Sequence, residues 1–206
     1  MTIIHKFIFC FLLFIVGMSC SSENKKSVDP SAVLVYDKGM DCMVNSKVDS
    51  AIIYFNKAIE IDSSYYYAYY YKEVSECRVK KYDDAIQTLK KMITLWPENS
   101  GCYSYLGLIY EIKKDTIQSS LYFNKAVELE KAVLDTMSET NSNYPYFMLT
   151  TAIDNVYAGK DKEAHEIFNK AYEACRTRGD ITTAGCIKKG MTQSKKQLLE
   201  NGFQCE

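Results

Sequence analysis

The chain has 206 residues, 47% hydrophobic and 25% charged, a balance that excludes both a disordered polymer and a chain made mostly of membrane-spanning segments. Its 25 Lys+Arg residues nearly cancel 26 Asp+Glu, leaving a formal net charge of -1 and no basic excess of the kind that draws a protein to nucleic acid. The length predicts one compact domain or one short repeat array.

The first twenty residues, MTIIHKFIFCFLLFIVGMSC, place His5 and Lys6 before an apolar run from Phe7 to Val16, then the small residues Gly17 and Ser19. That order is the grammar of a secretory signal. The run falls short of the ~20 residues a membrane-crossing helix needs. With Cys20 next and the polar SSENKKSVDP after it, the segment resembles the lipobox and tether of bacterial lipoproteins, although Gly17 stands where that family usually has leucine. The resemblance implies a signal peptide over 1–19, lipid on Cys20, a tether over 20–31 and an exported protein held at the bacterial outer membrane by covalent lipid. Plain secretion with cleavage after a small residue is the alternative.

Further on, a period of 34 residues governs the chain. Ala51, Ala85 and Ser119 fall in one column, Phe55, Leu89 and Phe123 in a second, and Ala58, Met92 and Ala126 in a third. Offsets of four and three put these columns on one face of a helix. Upstream of each such helix a second segment repeats in phase, with Gly39, Glu73 and Gly107 in one column and Val35, Tyr69 and Tyr103 in another. Between the two segments lie the turns NSKVD, KKYDD and KKDT, so each repeat reads as helix, turn, helix. A fourth copy carries Ala164, Phe168 and Ala171, displaced by eleven extra residues. The economical way to absorb them is a longer second helix in the third repeat, through EKAVLDTMSE, and a loop at TNSNYP.

These columns resemble the tetratricopeptide repeat (TPR) family: Tyr103, Leu106, Gly107, Tyr110, Phe123 and Ala126 match its pattern, with Ser119 in place of the first alanine. The resemblance implies an all-α fold, a helix-turn-helix TPR solenoid of about four repeats over 32–65, 66–99, 100–144 and 145–178, closed by a C-terminal capping helix and tail over 179–206. In that family the first helix of each repeat lines the ligand-binding side. Carried over, this side presents Tyr36 and Met40, then Tyr67, Tyr70 and Val74, then Leu108, then Tyr146, Ile153 and Tyr157. Of the tyrosine-rich stretch SSYYYAYYYKEV, Tyr69 takes a packing column, Tyr66 and Tyr71 cover neighbouring surface, and Tyr67 and Tyr70 point to the ligand-binding groove. The lysine and asparagine clamp by which some TPR domains hold a carboxylate tail is missing, since Tyr36, Met40, Tyr71, Gly101 and Tyr105 occupy its slots.

Two acidic residues break the pattern. Glu73 stands in the glycine column and Glu76 where the family prefers tyrosine. Either they are buried and carry a perturbed pKa, or their stems reach outward to Lys38, Lys72 or solvent. Beyond the leader His165 is the sole histidine, on a surface-facing stretch, and no cluster of metal-ligand or nucleophile spacing accompanies it, so the sequence predicts neither catalysis nor a cofactor nor a metal. Cys42 with Cys77 and Cys186 with Cys205 are pairs that a disulfide could join, the alternative for each being free thiols. The reading is a non-catalytic, lipid-anchored scaffold that binds a protein or peptide partner through a tyrosine-rich face. The alternative is a small-molecule or glycan-binding lipoprotein using the same aromatics.

Overall fold

A computed structural model describes residues 27–201. The leader, Cys20, most of the tether and Cys205 lie outside the described residues, so the readings that fall on them carry no structural account. Among the described residues the chain is helical throughout, with no strand, and divides into two compact units that meet in sequence between Glu98 and Asn99.

The first unit holds two helical hairpins: α1 (Pro30–Val44) with α2 (Val48–Ile61), and α3 (Tyr66–Arg78) with α4 (Tyr82–Leu95). The start of α1 is fixed by Asp29, whose carboxylate accepts the Ser31 N–H at 2.8 Å, and by Pro30 in the first turn, where its missing N–H costs nothing. The second unit holds α5 (Ser100–Ile112) with α6 (Thr116–Thr136) and α7 (Tyr144–Tyr157) with α8 (Asp161–Thr177), followed by α9 (Ile181–Gly190) and α10 (Lys195–Asn201). The extra residues of the third repeat lengthen α6 to 21 residues and leave a short connection to α7, as the spacing predicts.

One turn recurs in every hairpin. Ser46, Lys80, Lys114 and Gly159 adopt positive φ, at 59°, 62°, 62° and 79°. The next N–H donates back across the turn each time: Lys47 to the Cys42 carbonyl, Lys81 to Glu76, Asp115 to Tyr110 and Lys160 to Asn155, all at 2.8–2.9 Å. This is the Schellman closure, which satisfies the last carbonyls of one helix and aims the chain into the next.

Packing within a hairpin depends on the glycine column. A Cβ on Gly39 would lie 2.6 Å from the Phe55 ring, and one on Gly107 would lie 2.7 Å from the Phe123 ring. The bare glycine therefore lets each phenylalanine of a second helix reach the backbone of the first. Phe55 joins Met43 and Ala51 in the first unit's core. Phe123 joins Met148, Leu149, Ala152, Phe168 and Ile187 in the second.

The C-terminal segment corrects one expectation. Residues 179–206 read as one capping helix and a tail, but the structure forms two helices there, α9 and α10, separated by Met191–Ser194. The break has a local cause. Ser194 and Gln197 form a reciprocal cap, with the Ser194 N–H donating to Gln197 Oε1 at 2.8 Å and the Gln197 N–H donating to Ser194 Oγ at 3.3 Å. A new helix starts there, and it buries Leu198 in the core.

Candidate functional site

The tyrosines of α3 belong to a continuous aromatic network within the first unit. Tyr36 of α1 packs on Tyr65 at 5.1 Å between ring centroids, on Phe55 at 5.7 Å and on Tyr71 at 5.8 Å. Tyr71 meets Tyr70 edge to face at 5.0 Å, and Tyr70 stacks on Tyr66 at 6.4 Å with planes 11° apart. Tyr66 and Tyr69 both present themselves edge-on to Trp96, at 5.1 and 5.7 Å. Tyr67 closes the network against Tyr65 and Tyr66. Tilted and edge-on geometry places the positive rim of one ring against the negative face of the next, the arrangement aromatic pairs favour.

Exposure sorts these rings into support and surface. Tyr65 and Tyr69 are buried and Tyr36, Tyr66, Tyr70 and Tyr71 half-buried, whereas Tyr67 remains 42% exposed. Tyr69 is thus the packing residue its column predicts. Tyr71 departs from expectation, because it lies against Tyr36 and Phe55 inside the cluster and not merely over neighbouring surface. Burial raises the Tyr36 phenol well above the ordinary tyrosine value and the Tyr65 phenol above it, and the nearby carboxylate of exposed Asp37 adds to both. Met40 and Val74 are half-buried and pack on Met43, Ala51 and Phe55.

The remaining predicted site residues lie in the second unit. Leu108 and Ile153 are partly buried against its core, and Tyr146 reaches the Thr183 hydroxyl at 3.4 Å. Tyr157 is a correction. It is 4% exposed and stacks on Phe123 at 4.8 Å with planes 15° apart, so it is a core residue with no face left for a partner. Its column equivalents Val44 and Ile112 are exposed, so the column alone gave no sign that the Phe123 ring would cover this position in the fourth repeat.

Glu73 and Glu76 are both buried, so the outward-reaching reading fails for the pair. Glu76 accepts from the Thr88 hydroxyl at 2.8 Å and lies 3.6 Å from the Lys72 ammonium. A cleft of about 360 Å³ runs down to it, lined also by Lys81, Asp84 and Lys91. Glu73 accepts from the Cys77 thiol at 3.2 Å, and its other oxygen has no partner. Burial, offset in part by that thiol, pushes the Glu73 carboxyl up to about 8. Desolvation and the adjacent carboxylate raise the Cys77 thiol as well. Cys42 and Cys77 are free thiols, which removes the first of the two conceivable disulfides. Cys186 is disulfide-bonded, and Cys205, the partner considered for it, is outside the described residues. His165 is exposed on α8, as its neighbours predict.

A second acidic pair escaped the sequence reading. Glu130 of α6 and Asp154 of α7 are both buried, Glu130 to 1% exposure. Asp154 accepts a short hydrogen bond from the Ser104 hydroxyl. Neither oxygen of Glu130 has a hydrogen bond of ordinary geometry, although Ser100, Thr151 and Asp154 surround it. Glu130 lies in the extension beyond the repeat columns and Asp154 in the shifted repeat, so no column flagged either one. Among the described residues no group of three or more His, Cys, Asp or Glu side chains is arranged to hold a metal ion, and no helix is long and apolar enough to cross a membrane.

Comparison with known proteins agrees with this architecture. Residues 102–132, covering most of α5, the turn and most of α6, match the tetratricopeptide repeat family model. Among solved structures, a MamA protein superposes with a TM-score of 0.51 at 18% identity, over 72% of this chain and 81% of that one. The MamA RS-1 double mutant superposes with a TM-score of 0.50 at 22% identity, over 71% and 76%. A Podosopora anserina protein of kinesin light chain nearly identical TPR-like repeats superposes with a TM-score of 0.50 at 10% identity, over 80% and 95%. No curated protein matches the sequence significantly. The fold is that of TPR-like helical repeats.

Proposed function

We propose that this protein is a non-catalytic scaffold that grips a protein or peptide partner through the tyrosine rim of α3 and is held at the bacterial cell envelope by lipid on Cys20. The observation that carries the reading is Tyr67: a large ring left 42% exposed, with its position fixed by ring contacts to Tyr65 and Tyr66. A ring already immobilised in the free protein loses little entropy on binding, and tyrosine offers an apolar body with a polar tip, so such residues dominate the energetics of interfaces. Exposed Asp37 stands near Tyr65 and Tyr36, the rings behind Tyr67, and brings a negative charge to that end of the network. A partner segment with an apolar or aromatic side chain and a basic residue close to it fits both features.

The test is affinity purification from crosslinked membranes of bacteria expressing the native chain or a Tyr67→Ser, Tyr70→Ser variant whose helical circular dichroism is unchanged. One specific protein recovered with the native chain and lost with the variant is expected. Identical partners from both, together with saturable quenching of tyrosine fluorescence by an oligosaccharide, would replace the scaffold reading with glycan binding.

A further inference from the structure

We propose that Glu130 and Asp154 form a proton-held latch between α6 and α7, closed while the pair retains a proton and released when its last proton leaves. The two carboxyls face one another from adjacent helices in a buried site whose other polar groups are neutral. Ser100 and Ser104 face it from α5, and Thr151 faces it from α7. Neither carboxyl has an ion pair among the described residues, whose salt bridges involve other acids. Glu130 therefore has two buried oxygens, no cation and no donor of good geometry, next to an aspartate whose available hydroxyl donor is Ser104.

Two adjacent carboxylates cannot both stay ionised in such surroundings. A single proton resolves both defects at once: it removes one charge, and it turns one carboxyl into the donor that the other lacks. Burial and the mutual repulsion of the pair act in the same direction, raising both acids above the ordinary carboxylate range. As the solution becomes alkaline this proton passes to hydroxide, breaking only an O–H bond and leaving two negative charges at the contact. The same helix pair holds the Phe123–Tyr157 stack, so separation or hydration there loosens the join between the third and fourth hairpins. This latch does not depend on the identity of any partner.

The experiment is amide hydrogen exchange on the full chain from about pH 5 to about pH 9, corrected for base catalysis of the exchange itself, for the native protein, Glu130→Gln and Asp154→Asn. Native protection in α6 and α7 is expected to fall by up to about tenfold per pH unit above the midpoint of the pair, one proton being released per opening. Glu130→Gln is expected to flatten that slope. An equal slope in the native protein and Glu130→Gln, or native protection that does not change with pH, would overturn the latch. If the variants fail to fold, carboxyl carbon NMR of the native protein decides, and ordinary acidic titration of both residues would overturn it. Restoration of alkaline protection by millimolar calcium chloride would also overturn it, because the pair would then be a cation site.

Discussion

A carboxyl buried among hydrocarbon is tolerated only when its charge is matched or removed, and Glu73 has a thiol and no cation against it. Its folded value, about 8, lies above the unfolded 4.5. The protonated side chain therefore supports the fold fully below about pH 4.5, and that support is lost as the pH rises through about 8. Glu73→Gln keeps the shape and stays neutral. Urea unfolding is expected to show it more stable than the native chain at about pH 9, by roughly 1–3 kcal/mol, with a shallower pH dependence. Equal stabilities at alkaline pH would place an ionised Glu73 in the fold and contradict the assignment. The glycine column gives a second prediction. Gly107→Ala drives a methyl to 2.7 Å from the Phe123 ring and should cost about 1–3 kcal/mol. Gly185→Ala, with nothing within 4 Å, should stabilise α9 by about 0.5–1 kcal/mol. Thermal denaturation of the two variants separates a packing glycine from an idle one, and equal shifts would contradict the distinction.

The hairpin is the scale at which the sequence was most legible. A fixed period placed the Phe55 and Phe123 columns opposite Gly39 and Gly107, and those glycines admit those rings. Repeat two shows how the same hairpin accommodates a substitution. Glu73 replaces the glycine and the smaller Leu89 the phenylalanine, while Glu76 and Thr88, joined at 2.8 Å, occupy the columns where repeat three stacks Tyr110 on Tyr122 at 5.4 Å. The turns follow the period as well, yet only one of the four uses glycine for its left-handed residue. Lys114→Gly should therefore relieve strain and stabilise the protein by about 0.5–1 kcal/mol, a gain that chemical denaturation would detect; a loss would show that the lysine side chain does something the turn requires. The burial of Glu73, Glu76, Glu130 and Asp154 was not legible. A long acidic side chain on a helix can lie inward or outward without altering the period, and only the identity of its three-dimensional neighbours decides between them. The fate of Tyr157 was hidden for a related reason, since its column equivalents Val44 and Ile112 are exposed and a stacked neighbour, Phe123, buries it.

For the whole molecule, the proposal joins lipid on Cys20, which is outside the described residues, to a tyrosine rim within the first unit. The anchor predicts that Cys20→Ser moves the protein from the membrane fraction to the soluble envelope fraction, read by fractionation and immunoblot. Retention in the membrane would remove lipid from the account. The rim makes the sharper demand, because it commits the function to a place. The most direct measurement replaces Tyr67 with a photocrosslinking phenylalanine analogue and irradiates living cells, with the same analogue at Ile181, which is 81% exposed on α9, as the control. A discrete adduct from position 67 that is absent from position 181 is the predicted result. No adduct at position 67, or the same adducts at both positions, would contradict the tyrosine rim as the place where this protein holds its partner.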